Sequence, residues 1–537
     1  MKSWQLSMDR RIAWAEVQLL DIAHLSTGNT PSKKVPGYYG GDIPFVKPPE
    51  LRDRKINLAP ETLSEQGCEN ARLLPENAVL VSCIGNLGKT GIAGTKVAFN
   101  QQINAIEAFS GIDPRFVFYQ AQSQDFKNQL EQRASATTIS IVNKGNFSTI
   151  KVWIPPTNEQ HRIVAKIEEL FSELDKGIES LKTAREQLKV YRQALLKHAF
   201  EGKLTEQWRK DNADKLETAD QLLERIKQER EARYQQQLED WKAAVKQWEV
   251  DGKEGTKPAK PRAAKKLERP SSSESKGYEN IPDSWCLAKI GDVSSVGTGV
   301  TPLKSRSDYY DNGDVPWVTS GALNSSLVSE ASGYVTELAF AETNLRLYPK
   351  HTLLMAMYGE GKTRGKCSEL LIPATTNQAI AAMVQCGIEE DTRPYLKWFL
   401  MKNYIDIRRK SSGGVQPNLN LGIVENTVFP LCSTGEMEVI VNELETNLSV
   451  IDDNEKTIVD QLLKSEALRQ SILKKAFSGQ LVPQDPDDEP ASVLLDRIAK
   501  EKEEAAAKAK PARRAGGKAK AAQKKPKTTR TDTRKAS

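Results

Sequence analysis

The sequence predicts a mixed α/β fold of the α+β class. It is built as two tandem-duplicated domains with two long antiparallel coiled-coil helices, related by a pseudo-twofold. Three observations predict this: an internal repeat, short strand-like segments in each copy, and a long helical stretch after them. A chain of 537 residues is also longer than one compact core requires.

The repeat is clearest between residues 14–39 and 285–310. Nine of the 26 positions are identical, whereas roughly one or two would match by chance. The identical pairs are Trp14/Trp285, Asp21/Asp292, Thr27/Thr298, Gly28/Gly299, Thr30/Thr301, Pro31/Pro302, Lys33/Lys304, Tyr38/Tyr309 and Tyr39/Tyr310. A period this long indicates a duplicated domain rather than a solenoid.

Shorter matches continue through both copies. They are GDIPFV (41–46) with GDVPWV (313–318), Gly-Lys-Thr (88–90 with 361–363), Asn-Gln (100–101 with 377–378), LLKHAFEGKL (195–204) with ILKKAFSGQL (472–481), and LLERI (222–226) with LLDRI (494–498).

Each copy begins with short apolar runs broken by Gly, Pro, Asn and Asp. AVLVSCIG (78–85) and TLLMAMYG (352–359) are typical of buried strands with turns, and a short helix is expected after Asp113-Pro114. We place these domains at 1–156 and 281–432, each closed by an extended segment that contains proline.

A long helix is predicted after each domain, within helical regions at 157–250 and 433–505. No proline occurs between residues 159 and 199, and a helix of about 40 residues is roughly 60 Å long. Apolar residues recur in heptad steps at Ile163, Ile167, Leu170, Leu174, Ile178, Leu181, Leu188, Tyr191 and Leu195, and at Ile440, Leu444, Ile451, Ile458, Leu462 and Ile472. A single helix cannot bury such a seam, so we expect the two to pack together. Docking of each seam on another protein is the alternative.

Charge is distributed unevenly. Residues 508–537 carry twelve Lys or Arg and one acid, a charge of +11, so the rest of the chain sums to −5 within the total of +6. We expect the tail at 506–537 to be disordered, either touching phosphates without sequence preference or acting as a solubilising terminus. The Pro/Lys/Ser-rich segment 251–280 is predicted to be a flexible linker.

Composition excludes several classes of protein. No apolar run approaches the roughly 20 residues that span a bilayer, and residues 1–11 lack a secretory apolar stretch, so we expect a cytoplasmic protein. Six cysteines without a C-x-x-C pair and four scattered histidines suggest neither a disulfide framework nor a metal site.

Catalytic motifs are missing. A phosphate loop at Gly88-Lys89-Thr90 would need a glycine where Cys83 stands, or Ala356 in the second copy, so a turn between strands is favoured. We find no adenine-methyltransferase motif, nuclease cluster or helicase set, and predict no catalytic residue and no bound cofactor in this chain.

Over about residues 12–505, the arrangement resembles the specificity subunit of type I restriction–modification enzymes. The resemblance is carried by W-x6-D and G-x-T-P in both copies, the Asn-Gln pairs, Pro-Pro-x-x-Glu-Gln at 155–160, and the phrases LLKHAFEGKLTEQW and ILKKAFSGQLVPQD. The second copy departs at PLCSTGEME (430–438), where the start of its helix is less clear.

The resemblance implies two target-recognition domains, each reading one half of a split site in double-stranded DNA, with the helices as a spacer. It also implies a non-catalytic role beside two modification (methyltransferase) subunits and two restriction (translocase and nuclease) subunits. S-adenosylmethionine, ATP and Mg would then bind to those partner subunits.

Candidate DNA contacts are basic, amide and hydroxyl side chains in loops, since these groups read base edges. They are Lys33, Lys34, Tyr38, Tyr39, Lys47, Asn86, Lys89, Lys304, Arg306, Tyr309, Tyr310, Thr319, Lys362 and Arg364. The tyrosine pairs and G-x-T-P recur in both copies, which favours a shared scaffold. Residues that read different half-sites should lie where the copies differ, as at 47–49 and 319–321.

Two other functions remain open. A non-enzymatic adaptor with protein-binding α/β domains would suit the charge of −5. A stand-alone nuclease or methyltransferase is disfavoured by the missing motifs.

Overall fold

The chain divides into two compact units. A computed structural model describes residues 11, 13–135, 139–215, 217–253, 257–261, 269–359, 363–385, 392–410 and 418–504. The first unit comprises Met1–Lys182 and Val459–Ser537, and the second comprises Thr183–Ile458. The predicted basic tail at 506–537 lies outside the described residues.

The first α/β domain consists of short elements. Its strands are β1 (Ala15–Gln18), β2 (Ala23–Thr27), β3 (Tyr39–Val46), β4 (Arg54–Ile56), β5 (Thr62–Leu63), β6 (Leu73–Leu74), β7 (Val79–Ser82), β8 (Thr90–Ala93), β9 (Val97–Phe99), β10 (Ile103–Ala108) and β11 (Lys151–Ile154). Its helices are α1 (Leu19–Ile22), α2 (Glu65–Cys68), α3 (Pro114–Ala121), α4 (Gln124–Gln132) and α5 (Lys144–Ser148). The strand expected at 78–85 and the helix expected after Asp113-Pro114 are confirmed as β7 and α3.

A five-stranded sheet in the order β2-β10-β7-β8-β4 forms the centre of this domain. All its pairs are antiparallel except β8 with β4. Every residue of β7 and β8 is buried, as expected for strands covered on both faces. A second sheet has the order β5-β3-β9-β6, and β1 pairs with β11 to join the two ends of the domain.

Among the described residues, the second α/β domain repeats these elements in the same order, except that β6 has no counterpart strand. Its strands are β12 (Cys286–Lys289), β13 (Ser294–Thr298), β14 (Val315–Val318), β15 (Leu327–Val328), β16 (Gly333–Val335), β17 (Leu353–Ala356), β18 (Cys367–Leu370), β19 (Thr375–Thr376), β20 (Ile380–Gln385) and β21 (Val428–Leu431). Its helices are α9 (Ile290–Val293), α10 (Glu337–Glu342), α11 (Thr392–Lys402), α12 (Tyr404–Lys410) and α13 (Leu421–Glu425).

The sheets confirm the duplication. The main sheet of the second domain has the order β13-β20-β17-β18-β15, with a parallel pair only between β18 and β15. Strand for strand, this is the order and direction found in the first domain. The end strands again pair with each other, as β12 with β21.

The helical parts comprise two long helices and shorter ones that follow them. The long helices are α6 (Thr157–Ala199, 43 residues) and α14 (Thr434–Phe477, 44 residues), as the sequence predicts. After α6 come α7 (Glu206–Asp211) and α8 (Ala219–Val250), and after α14 comes a helix at 491–504. The LLERI and LLDRI repeats lie at the start of these following helices.

These following helices complete the domain cores. Leu222 and Ile226 of α8 are buried in the core of the second unit, which contains the second α/β domain. Leu494 and Ile498 of helix 491–504 are buried in the core of the first unit. Each α/β domain is therefore covered by the segment that follows the other copy's long helix.

The distal part of α8 carries an apolar stripe in heptad steps. Its half-buried members are Tyr234, Leu238, Trp241, Val245 and Trp248. The Trp241 Nε1 donates to the Pro258 carbonyl oxygen at 2.9 Å, and the Nζ atoms of Lys257 and Lys260 lie 5.9 and 5.8 Å from the ring centroids of Trp248 and Trp241. Residues 257–261 of the predicted linker thus contact this stripe.

The described cysteines are free thiols, and Cys83, Cys367 and Cys432 are buried. Burial raises the pKa of Cys83 to about 12, which makes it a poor nucleophile. Within the described ranges, none of the helices is long and apolar enough to cross a membrane.

Candidate nucleic-acid interface and its helical support

The motifs shared by the two copies form one hydrogen-bonded scaffold in each domain. Thr30 of the first G-x-T-P donates to Oε1 of Gln101 at 2.6 Å, and Thr301 donates to Gln378 at 2.5 Å. The Tyr39 hydroxyl donates to the Pro31 carbonyl oxygen at 2.8 Å.

The same tyrosine contact recurs in the second domain, where the Tyr310 hydroxyl donates to the Pro302 carbonyl oxygen at 2.6 Å. The hydroxyls of Tyr39 and Tyr310 are therefore engaged within the protein. This geometry supports the scaffold interpretation of the tyrosine pairs rather than direct base reading by these two hydroxyls.

The glycine of G-x-T-P is required by a close approach of two backbone segments. A Cβ atom at Gly28 would lie 2.3 Å from the carbonyl oxygens of both Phe99 and Asn100. At Gly299 it would lie 1.6 Å from the carbonyl oxygen of Thr376. The loop is thereby held against the strand that precedes each Asn-Gln pair.

In the first domain, two candidate lysines meet at one carboxylate. The Glu61 Oε1 is 2.5 Å from Nζ of Lys47 and 3.0 Å from Nζ of Lys33. These hydrogen bonds lower the pKa of Glu61, so the carboxylate is ionised at neutral pH. Glu61 is not among the residues predicted from the sequence, because it lies in a loop with no counterpart motif in the second copy.

The second domain carries different side chains at the same place. The Thr319 amide, which stands where Lys47 stands in the first domain, donates to Oγ of Ser332 at 3.0 Å. The strand register places Gly333, the neighbour of Ser332, at the position of Glu61, since Ile43 faces Leu63 in the first domain and Val315 faces Val335 in the second. The structure thus confirms that the two copies differ here.

Among the described residues, a second charged cluster lies in the second domain and has no counterpart in the first. Arg306 donates to both oxygens of Asp308, at 2.8 and 3.0 Å, and its Nη2 lies 3.3 Å from Glu342. Buried Tyr309 donates to the same Glu342 at 2.8 Å. Valine and glycine occupy the positions of Arg306 and Asp308 in the first copy, at 35 and 37.

The remaining candidates lie in loops of each domain. Lys34, Asn86 and Lys304 are exposed, and Tyr38 is half-buried. Arg364 is half-buried, and its carbonyl oxygen accepts from Arg408 at 2.7 Å. Lys362 lies outside the described residues.

Gly88-Lys89-Thr90 lies in the turn between β7 and β8. The Lys89 amide donates to Oγ of Ser82 at 2.9 Å, and the Ser82 hydroxyl donates to the Asn86 carbonyl oxygen at 2.6 Å. Hydrogen bonds of the Ser82 side chain close this turn, so it does not form a phosphate-binding loop. The prediction of a turn between strands is confirmed.

Each long helix begins with a buried glutamate that fixes it to its α/β domain. The Trp14 Nε1 donates to Oε2 of Glu159 at 3.0 Å, and burial raises the pKa of Glu159. In the second unit, the Trp285 Nε1 donates to Oε2 of Glu436 at 2.9 Å. Glu436 therefore fills the position of Glu159, although the surrounding PLCSTGEME segment differs.

The Glu436 site also receives the chain that follows α6. Oγ1 of Thr205 donates to Oε1 of Glu436 at 2.7 Å, and Arg209 forms an ion pair with the same oxygen. In the first unit, Gln484 lies 3.5 Å from Glu159, and Arg162 pairs with Asp488 at 2.5 Å.

Within the first unit, the N-terminal part of α6 packs against the C-terminal part of α14. Ile163, Ile167 and Phe171 share a core with Ile472 and Phe477. The other predicted seam residues of this unit are half-buried, namely Leu170, Leu174, Ile178, Leu181 and Leu462. Arg469 forms an ion pair with Asp175.

Within the second unit, the C-terminal part of α6 packs against the N-terminal part of α14. Leu195 shares a core with Ile440, Leu444 and Ile451. Ile458 is buried and Leu188 is half-buried. The expected packing of the two helices on each other is confirmed.

Tyr191 is a correction to the predicted seam, because it is 51% exposed. The seam steps from Leu188 by four residues to Arg192, which is half-buried and forms an ion pair with Asp452. The helices are antiparallel, since in each unit the N-terminal part of one packs against the C-terminal part of the other.

Within the part of the chain that the structure describes, no group of three or more His, Cys, Asp or Glu could hold a metal ion. The second unit has a shallow groove of about 370 Å³ between the helices, lined by residues that include Ala184, Leu188, Tyr191, Thr457 and Ile458.

Comparison with known proteins gives a consistent result. The chain is 24% identical over 502 residues to the type I restriction enzyme EcoDI specificity subunit of Escherichia coli, which covers 91% of this chain and 96% of the relative. It is 20% identical over 479 residues to the MjaIX specificity subunit of Methanocaldococcus jannaschii, covering 87% of this chain and 93% of the relative.

Solved structures share the fold. The HsdS subunit from Thermoanaerobacter tengcongensis superposes with a TM-score of 0.50 at 15% identity, covering 87% of this chain and 97% of the other. A chain from a study of complex assembly and conformational transition of the type I R-M system has a TM-score of 0.59 at 16% identity, covering 87% and 98%.

The family profile described as type I restriction modification DNA specificity domain matches twice, at residues 12–184 and 282–464. These two matches contain both α/β domains and the first part of each long helix. The chain therefore belongs to the family of type I restriction modification DNA specificity domains and carries two copies of that domain.

Proposed function

We propose that this chain is the sequence-specific DNA-recognition subunit of a type I restriction–modification complex. Each α/β domain reads one half of a bipartite target, and the paired helices fix the spacer between the half-sites. This proposal is carried by one observation: the two α/β domains share the same scaffold but have different side chains at equivalent positions. A reader of two different half-sites needs that combination of constant support and variable contacts.

The helix pair supports the spacer role. The long helices α6 and α14 contain 43 and 44 residues, which corresponds to about 65 Å of helix each. Dimeric readers of DNA place their half-sites about one helical turn, roughly 34 Å, apart. A packed pair of helices holds such a distance better than a single helix, because each helix buries the apolar seam of the other.

We propose that the modification subunits dock on the helix pair in the second unit. The groove at Leu188 and Ile458 is open, and exposed apolar side chains lie beside it in the sequence, with Val190 70% and Val450 56% exposed. Exposed apolar surface of this kind is typical of protein interfaces. In this proposal two modification and two restriction subunits carry S-adenosylmethionine, ATP and Mg, while this chain contributes recognition without catalysis.

The first test is single-molecule sequencing of host DNA for N6-methyladenine with the gene intact and deleted. Deletion should remove one bipartite methylated motif. Exchange of residues 281–432 for the same domain of a relative should then change only one half of that motif. If both halves changed, or if deletion left every motif in place, the proposal would be refuted.

The spacer role has its own test. Seven residues inserted both between Ala184 and Arg185 and between Val459 and Asp460 preserve the heptad seam and the antiparallel register. Each helix becomes about 10 Å longer, equivalent to roughly three base pairs. The same insertion between Ser272 and Ser273 lengthens only the linker and is the control.

We expect the helix insertions to move the two methylated half-sites apart, or to abolish methylation if the added DNA twist turns one half-site away. The linker insertion should leave the motif unchanged. Retention of the original spacer by the helix variant would contradict the spacer role.

An adaptor function is the competing proposal, since the chain without its basic tail has a charge of −5. DNA affinity of the assembled complex separates the two. Binding through phosphates weakens steeply with salt, by about a factor of 10³–10⁵ between 50 and 200 mM for 6–10 phosphate contacts. A complex that binds no DNA at low salt would favour the adaptor.

A further inference from the structure

The carboxylate of Glu61 uses its two oxygens unequally. Oε1 accepts from both Lys47 and Lys33, whereas Oε2 is buried and has no hydrogen-bond partner among the described residues. Buried carboxylate oxygens nearly always have a donor. The two lysines share Oε1. One lysine can therefore move to another acceptor while the other lysine keeps the carboxylate paired.

The two lysines are not equivalent. The Lys33 side chain is 63% exposed, whereas the Lys47 side chain is 29% exposed and has the shorter distance to Glu61. The Nζ of Lys47 also lies 5.6 Å from the Phe45 ring centroid, and Lys47 directly follows the end of β3. Lys47 is thus the anchored partner, and Lys33 is the partner that DNA can recruit.

Lys33 has an equivalent lysine in the second domain, but the carboxylate that pairs with Lys33 has no equivalent there. Lys304 occupies the same position in the repeat and is exposed. Thr319 and Gly333 stand there in place of Lys47 and Glu61, and the Thr319 amide donates to the neutral hydroxyl of Ser332. One shared lysine is therefore held by a carboxylate in the first domain and lacks that carboxylate in the second.

The backbone of β3 beside this site is irregular, and this irregularity changes the direction of its side chains. The pairing of β3 with β5 shifts register between Tyr39 and Ile43, and Gly40 has a φ of 91°. Such bulges redirect strand residues and occur often beside functional sites. The local charge also differs, since residues 28–61 sum to +2 and residues 299–332 sum to −2.

We propose that Glu61 is a positioning residue that determines specificity in the first domain. Anchored by Lys47, it holds Lys33 so that the Lys33 ammonium group meets acceptor atoms of the first half-site, such as O6 and N7 of guanine. This inference rests on the proposed function, because it assigns a role within DNA recognition.

The test uses the assembled complex with Glu61→Gln, which keeps the shape of the side chain and removes its charge. We expect discrimination against mismatched base pairs in the first half-site to fall about tenfold or more, while discrimination in the second half-site is unchanged. Both are measured as ratios of DNA affinity for matched and mismatched duplexes, together with the methylated motif.

Glu61→Asp should recover part of the discrimination, because it restores the carboxylate. Glu76→Gln is the matched control, since Glu76 pairs with Lys55 at 3.0 Å in the same domain and its side chain is 54% exposed. That control should leave both half-sites unchanged. The double variant Lys47→Thr/Glu61→Gly, which installs the residues of the second domain, should act like Glu61→Gln.

Unchanged discrimination in Glu61→Gln would overturn the inference, and so would equal losses in both half-sites. The failure of the proposed function looks different. In that case the wild-type complex itself would show no bipartite methylated motif and no preference between matched and mismatched duplexes.

Discussion

Replacement of Glu436 by alanine is expected to loosen the second unit strongly. Glu436 is 1% exposed and is contacted by the Trp285 indole at 2.9 Å, the Thr205 hydroxyl at 2.7 Å, and the Arg209 guanidinium. These groups come from the start of the α/β domain and from the chain after α6. The carboxylate therefore ties these two segments to the first turn of α14.

The expected loss of stability follows from the partner groups that Glu436→Ala leaves without a carboxylate. Removing one partner of a buried ion pair costs about 3–5 kcal/mol. Arg209 retains a hydrogen bond from Nη2 to the Gly202 carbonyl oxygen at 2.8 Å, and its side chain is 16% exposed. We therefore expect the lower part of that range, about 3 kcal/mol, which increases local opening roughly a hundredfold.

Hydrogen exchange measured by mass spectrometry on peptides covering residues 196–209 and 434–444 reports that opening. Glu438→Ala is the control, because Glu438 is exposed on the same helix, two residues away. Exchange in these peptides should accelerate in Glu436→Ala and not in Glu438→Ala. An acceleration below tenfold in Glu436→Ala would refute the assignment of this carboxylate as the tie between these two segments and α14.

Three further changes test other parts of the structure. Burial raises the pKa of Glu159, so its ionised form is less favourable in the folded chain than in the unfolded chain. The free energy of unfolding should therefore fall as pH rises through that pKa. Glu159→Gln should remove this pH dependence, measured by urea titrations at several pH values. Leu444→Ala should lower the free energy of unfolding by about 2–5 kcal/mol, whereas Val450→Ala, 56% exposed, should change it by less than about 0.5 kcal/mol. Gly28→Ala should cost at least about 1–3 kcal/mol because its Cβ would meet two carbonyl oxygens, whereas Gly177→Ala, in open space on α6, should stabilise by about 0.5–1 kcal/mol, both measured by urea unfolding.

Periodicity made the helices predictable. The seam from Ile163 to Leu181 is read directly from steps of three and four residues, because helical geometry alone decides which side chains share a face. Phe171 was missed although it is buried, and Tyr191 was included although it is exposed. At Arg192, the long aliphatic part of an arginine takes a seam position, which a pattern of apolar residues does not register.

The candidate interface was predictable only in part. Comparison of the two copies located the loop at 47–49 and the lysine that they share, because repeated and differing positions are visible in the chain. Glu61 and Ser332 were not found, since each comes from a separate strand region whose pairing with β3 or β14 is set by the sheet. The contacts of residues 257–261 with Trp241 were also missed, because the composition of the segment suggests only a linker.

By itself, the sequence determined that this protein is a duplicated chain with two α/β domains, two long seamed helices and no recognisable catalytic motif. Those features are local or repeated, so spacing and identity within the chain are sufficient to reveal them. Only the tertiary structure decided which copy's following helix covers which domain, where Glu159 and Glu436 are buried, and which lysines share Glu61. Each of these depends on side chains brought together from 14 to more than 300 residues apart, and such contacts are selected by packing and burial rather than by local pattern.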